Sequence, residues 1–316
     1  MSKIETNLLT AQEVADILKV KKSTVYEMIK RGDLSSHKIG KQLRISRREM
    51  ERLLGTEAET AGKAAVSKEA ASSPTPEREK HLMLCGQDAL LDIIANRMNA
   101  LTRMPNIIRS RTSSYFSLFQ LYQGAVDIAT THLWDEISGE YNVPFVERIL
   151  PGIPVIMVRL AGRITGFYVQ EGNPKNITGW ESLGRDGIRL VNRERGSGAR
   201  VLLDGKLKTM GIRRFSIPGY DFEQNSSIAT ASAVARGMGD VGLGVKSAAN
   251  QMTGIAFLPL QLEWYDMVFC AQSENHAPFQ SILEYVSSED FIKEVSQFKD
   301  YDCSQTGRIM MGEKYL

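Results

Sequence analysis

The sequence predicts an α/β protein, and three observations lead there. From residue 81 onward, short apolar runs alternate with apolar residues at helical spacing, the pattern of strands interleaved with helices. Residues 55–80 contain no aromatic residue and are rich in Ala, Ser, Thr, Pro and charge, so they cannot bury enough apolar surface to fold alone and read as a linker. Ahead of that linker, residues 1–54 carry 12 Lys and Arg against 7 Asp and Glu, whereas residues 81–316 carry 23 against 25. Excess positive charge therefore gathers at one end, where it can meet a polyanion. The expected boundaries are 1–54, a linker over 55–80, and 81–316.

In the N-terminal part, Thr10-Ala11-Gln12-Glu13 fits a capping box, and Val14, Ile17 and Leu18 continue at helical spacing. Ser23 can cap a second helix carrying Val25, Met28 and Ile29, which ends at Lys30-Arg31-Gly32 with the glycine at C′. Residues 34–46 alternate around Gly40-Lys41, predicting a small hairpin, and Ser46-Arg47-Arg48-Glu49 opens a third helix through Met50, Leu53 and Leu54. Helix, helix, wing, helix is an arrangement whose second helix fits the major groove while basic side chains neutralise phosphates. Lys21, Lys22, Ser23, Thr24, Tyr26 and Lys30 would face the duplex, with His37, Lys38, Lys41 and Arg44 on the wing.

The larger part begins with a strand at Leu82 to Cys85, a helix through Leu91, Ile94 and Met98, a strand at Ile107 to Arg109, a helix over Phe116 to Tyr122, and a strand at Val126 to Thr130. Two further strands, Val155 to Leu160 and Ile164 to Val169, follow, and the alternation predicts largely parallel sheets. About 235 residues suits two lobes. After the run Ile188 to Val191, Gly196-Ser197-Gly198 makes a strand-to-helix turn flanked by Arg193, Arg195 and Arg200. First-turn N–H groups lack intrahelical partners and carry partial positive charge, so such a turn either receives an anion or is simply capped by Ser197.

Several classes are disfavoured. No run of about 18 apolar residues appears, and Met1 to Thr6 lacks the apolar core of a signal peptide, so the sequence predicts a cytoplasmic protein without a membrane partner. Cys85, Cys270 and Cys303 are odd in number and scattered, and His37, His81, His132 and His276 share no metal-ligand spacing with them. No metal or cofactor is expected. Nor does the chain show a convincing nucleophile and base pair or a nucleotide-binding loop, which argues against an enzyme.

The segment Leu8 to Leu54 resembles the excisionase-type winged helix-turn-helix of the wider MerR-like group. The resemblance is carried by residues 10–15, Val25-Tyr26, Gly32-Asp33-Leu34 and Arg44-Ile45-Ser46. It implies recognition of double-stranded operator DNA, and paired half-sites imply a homo-oligomer. Residues from about His81 to Met311 resemble the type II periplasmic-binding-protein-like domain that bacterial transcription regulators fuse to such units, and that also occurs beside molybdopterin-biosynthesis modules. Gly86-Gln87-Asp88, Thr131-His132-Leu133, residues 138–142, Gly172-Asn173-Pro174, Asn192-Arg193 with Gly196-Ser197-Gly198, Gly219-Tyr220 and residues 240–244 carry it.

The implied architecture is a two-lobed clamp, with one lobe over 82–172 and 263–316, the other over 173–262, and a hinge where the chain crosses twice. The implied ligand is a small oxyanion, most directly molybdate or tungstate. The alternative is a small organic anion or a molybdenum-cofactor-related ligand. The candidate contacts are Gln87, Asp88, Arg111, Ser113, Ser114, His132, Arg195, Gly196, Ser197, Gly198, Arg200, Ser226 and Ser227. A fully ionised tetrahedral dianion needs donors only, whereas a protonated phosphate also needs an acceptor such as Asp88. Two positions depart from the family tendency: Ala199 replaces the threonine after Gly-Ser-Gly, and Ser226-Ser227 replaces Thr-His.

Overall fold

The computed structural model describes residues 8–18, 21–31, 34, 37–39, 42–46, 81–101, 105–271 and 276–315. The chain divides into two compact units, Met1–Pro76 and Glu77–Leu316.

In the first unit, β1 (Leu8–Thr10) leads into α1 (Ala11–Leu18) and α2 (Lys22–Arg31), followed by β2 (His37–Ile39) and β3 (Gln42–Ser46). The capping box forms reciprocally. Glu13 N donates to Thr10 Oγ1 at 3.2 Å, and Thr10 N donates to Glu13 Oε2 at 2.6 Å. Those Thr10 donors hold the Glu13 carboxyl below its ordinary range. Val14, Ala15, Val25, Leu34 and Ile45 bury together, because the apolar stripes of both helices meet the sheet. The hairpin of β2 and β3 gains a third strand: β1 pairs antiparallel with β3. The predicted third helix beyond Ser46 and the linker lie outside the described residues.

The second unit continues with β4 (His81–Cys85), α3 (Leu90–Asn99), β5 (Asn106–Ser110), α4 (Ser114–Tyr122), β6 (Ile128–Thr131) and α5 (Val143–Ile149). Next come β7 (Val155–Gln170), β8 (Leu190–Arg193), α6 (Gly198–Thr209), β9 (Glu223–Gln224), α7 (Ser227–Ala235), β10 (Val241–Val245) and α8 (Lys246–Ala249). The chain closes with β11 (Ile255–Cys270), α9 (His276–Val286), α10 (Glu289–Ser296), β12 (Tyr301–Asp302) and β13 (Ile309–Met311). One curled sheet runs in the order β5-β4-β6-β11-β7-β10-β8-β9, with β12 and β13 added along β7.

Two sequence expectations need correction here. The strands expected at 155–160 and 164–169 are one continuous 16-residue strand, β7, which pairs antiparallel with the equally long β11. Ala161-Gly162-Arg163 does not turn, because Gly162 lies flush against Trp264, where a Cβ would stand 2.9 Å from the indole. The sheet is also mixed rather than largely parallel. β4 with β5 and β6, and β8 with β9 and β10, are parallel, while β7 and β11 make every one of their pairings antiparallel.

These two strands build the lobes. The β6 edge of the sheet joins β11 over Asp266–Phe269, whereas β10 joins β7 over Thr165–Val169. Both crossings between lobes are therefore strand interiors near residues 161–165 and 261–266, so the first crossing comes about ten residues earlier than the expected 172. One lobe packs α3, α9 and α10 on one sheet face and α4 and α5 on the other. The other lobe packs α6 and α7 on opposite faces around Phe167, Leu190, Leu203 and Tyr168, Val191, Val234. Parallel strands with helices between them put the strand C-termini, and the turns that follow, along one rim.

Candidate functional site

The turns after β4, β5, β6 and β8 meet along that rim, and the lobes touch there. Tyr115 N at the start of α4 donates to Gly196 O at 3.0 Å. Arg193 Nη2 donates to Gln87 Oε1 at 3.2 Å, and a Cβ on Gly198 would stand 2.3 Å from the His132 ring. Gly196 sits at φ +87, a left-handed conformation that favours glycine, so its carbonyl can turn toward α4.

From the first lobe, Ser113 caps α4 with extended backbone but makes no capping bond. Its Oγ is buried without a partner, and a Cβ on Gly196 would lie 3.2 Å away. Thr131 Oγ1, at the end of β6, is likewise buried and unpartnered. Ser114 Oγ accepts from His132 N at 3.3 Å. Arg111 is exposed, with no hydrogen bond or ion pair among the described residues. Gln87 is exposed and serves as the acceptor for Arg193.

Asp88 is buried and fully engaged: Arg163 Nη1 lies 2.5 Å from Oδ2, and Tyr301 Oη and Leu90 N donate to Oδ1 at 2.7 and 2.9 Å. From the second lobe, Ser197 caps α6. Its Oγ accepts from Arg200 N at 3.2 Å and donates to Glu194 O at 2.9 Å. Ser226 Oγ caps α7 through Ala229 N at 3.1 Å, and Ser227 Oγ accepts from Arg193 Nη1 at 3.1 Å. Arg200 points into its own lobe, stacked over Tyr220 and bonded to Glu223 and Arg193 O. Arg195 is exposed, 3.7 Å from Glu223.

Sequence reasoning missed the charges beneath this rim. Arg163 on β7 stands opposite Glu263 on β11 in register, Nη2 lying 2.5 Å from Oε1, and His132 Nδ1 is 3.2 Å from the other Glu263 oxygen. Four residues earlier on β7, Arg159 makes a two-pronged pair with Asp266 at 2.9 and 3.2 Å, and Asn142 adds a bond of 2.7 Å. Burial pushes the Glu263 carboxyl up, but the His132 ring and the Arg163 guanidinium more than offset this and hold it at about 2. The available signal was charge inside a buried strand: Arg159 and Arg163 are the charged residues of β7. Tyr301, bonded to Asp88 from β12, had no local signal.

On the first unit, Lys21, Lys22, Ser23 and Tyr26 are exposed at the start of α2, with Thr24 and Arg44 half-buried. Lys30 lies on α2 and His37 and Lys38 on β2, but their side chains and Lys41 fall outside the described residues. Exposed lysines and a tyrosine on the second helix of a helix-turn-helix suit a phosphate backbone. No helix among the described residues is long and apolar enough to cross a membrane, and they contain no His, Cys, Asp and Glu cluster able to hold a metal.

A DNA-binding module joined to a two-lobed binding domain is the composition of a ligand-sensing DNA-binding regulator. Residues 97–287 match the PBP superfamily domain and residues 8–57 the helix-turn-helix domain, and the chain belongs to the PBP superfamily. It is 38% identical to the uncharacterized protein YvgK of Bacillus subtilis (strain 168) over 97% of this chain and 99% of that one. A Clostridium pasteurianum protein encoded in the 5′ region of a 2Fe-2S ferredoxin gene is 36% identical, covering 35% of this chain and 97% of its own. Among solved structures, a substrate-binding protein with bound phosphate from Clostridium perfringens is similar in fold. Its TM-score is 0.52 at 15% identity, over 71% of this chain and 99% of that one.

Proposed function

We propose that the chain is a cytoplasmic one-component transcription regulator that binds operator DNA as a homodimer and senses a fully ionised tetrahedral oxyanion, molybdate or tungstate, between its lobes. The observation that carries the ligand class is a pair of buried hydroxyls without partners at the rim, Ser113 Oγ and Thr131 Oγ1. Ser113 Oγ faces Gly196 across the cleft without a partner. Every carboxylate described at the rim is already held by a cation: Asp88 and Glu263 by Arg163, and Glu194 by Arg193. A fully ionised dianion needs only N–H and O–H groups, which these hydroxyls and the turn amides supply. Ser197 supports the site as the α6 cap, since its own proton goes to Glu194 O.

Calorimetric titration of the full chain with molybdate, tungstate, sulfate and phosphate tests this. Molybdate and tungstate are expected to bind, and Ser113→Ala to weaken them about tenfold, the usual worth of one hydrogen bond to a charged group. No heat with any oxyanion would end the proposal. Arg111, exposed and without a hydrogen bond or ion pair among the described residues, favours the second ligand class, a small organic carboxylate or a molybdenum-cofactor-related molecule. Heat from such compounds, with none from oxyanions, would establish that reading instead. For the DNA arm, affinity for the region upstream of its own operon is expected to fall steeply with salt, and Lys22→Ala to flatten that slope by about one. Salt-independent binding would contradict it.

A further inference from the structure

Arg193 ends β8 with its guanidinium at the junction of both lobes, and its side chain is only 6% exposed. Four groups converge on it. Nη2 reaches Gln87 of the opposite lobe at 3.2 Å, Nη1 reaches Ser227 Oγ at 3.1 Å, and Nε reaches Gln224 O at 3.3 Å. The fourth is the carboxylate of the next residue. Glu194 accepts from Nε at 2.7 Å and from Nη2 at 2.8 Å, filling the planar fork with the two-oxygen geometry a free anion would use. Unlike Arg193, the Glu194 side chain is 25% exposed, so its carboxylate has a path to water when another anion takes its place on the fork.

We propose that Arg193 is the cationic anchor of the ligand site and that Glu194 competes with the ligand for it, so that an entering oxyanion takes over the fork as Glu194 moves to solvent. This rests on the oxyanion reading of the cleft. Tethered to the neighbouring residue, the Glu194 carboxylate acts at a high effective concentration and sets the threshold above which the clamp responds. Gln87 and Ser227 lie on the same guanidinium from two directions, so an anion held there touches both lobes.

The sign of the effect separates competition from support. A carboxylate that merely braced Arg193 would, when neutralised, loosen the site and weaken binding. A competitor, when neutralised, strengthens it. Titration of the full-length chain with sodium tungstate is expected to show Glu194→Gln binding about tenfold tighter than the wild type, since one charge-assisted contact no longer opposes the ligand. Arg193→Gln is expected to bind at least tenfold more weakly, with Glu194→Ala, which keeps no hydrogen-bonding head group, again tighter than wild type. Thermal unfolding of each variant checks that it is folded. If the wild type binds tungstate and both Glu194 variants bind equally or more weakly, the competition is refuted while the oxyanion site stands. If wild type and Glu194→Gln both give no heat with tungstate, molybdate or sulfate, the oxyanion reading falls and this inference with it.

Discussion

Arg163→Met is expected to lower the unfolding free energy of the larger unit by about 3–5 kcal/mol, the range found when one partner is stripped from a buried ion pair. Arg163 is 7% exposed and faces two carboxylates, Asp88 and Glu263, that are 5% and 2% exposed. Methionine fills much of its volume but leaves both acids facing an apolar side chain. Asp88 keeps Tyr301 and Leu90 N, and Glu263 keeps His132, so the unit should still fold. Urea unfolding followed by circular dichroism measures the loss. A double variant with Glu263→Gln should recover part of it, because one of the stranded charges is gone.

The same pair sets an acid limit. Glu263 is held at about 2 against an ordinary value of 4.5, so its folded-state value is depressed. Its contribution, about 3 kcal/mol by linkage, is present in full above pH 4.5 and is lost as pH falls toward 2. Arg163→Met removes the guanidinium that helps hold Glu263 down, so the acid unfolding midpoint is expected to move to higher pH. An unchanged midpoint, with unchanged urea stability, would show that the hinge charges contribute nothing to the fold.

What could be read from the sequence, and what could not, follows the range of the interactions involved. The capping box at Thr10 and Glu13, the turn at Gly196-Ser197-Gly198 and the alternation after residue 81 are encoded within a few residues, and the elements lie where that local chemistry puts them. The antiparallel pairing of β7 with β11 joins residues about a hundred positions apart, and no local pattern announces it. The strands expected at 155–160 and 164–169 leave Gly162-Arg163 between them. Here glycine makes room for Trp264, and the arginine finds Glu263 across the ladder and Asp88 from a loop. Candidate site residues divide in the same way. Ser113, Ser197 and Gly198 sit on turns whose chemistry is local, whereas the engagement of Asp88 with Tyr301, and of Arg200 with Glu223, depends on distant partners.

Gly198→Ala is expected to keep the lobes from meeting while leaving each of them folded. The added methyl would stand 2.3 Å from His132 Cε1 and Nδ1 and 2.6 Å from the His132 carbonyl oxygen. The ring cannot easily yield, because Nδ1 is bonded to buried Glu263 and His132 N to Ser114 Oγ. Within its own lobe Gly198 opens α6, where alanine is the better helix former, so intrinsic stability should change by no more than about 1 kcal/mol. The clash is instead relieved by opening the cleft, at a cost of about 1–3 kcal/mol to the closed arrangement. Two readouts follow. The Tyr115 amide, which bonds to Gly196 O across the cleft, should exchange with solvent faster than in the wild type. Any ligand held between the lobes should bind about 10 to 100 times more weakly, and tungstate titration measures this directly. Unchanged exchange at Tyr115 together with unchanged affinity would mean that His132 and Gly198 do not meet in the closed protein, and that the clamp shuts on some other contact.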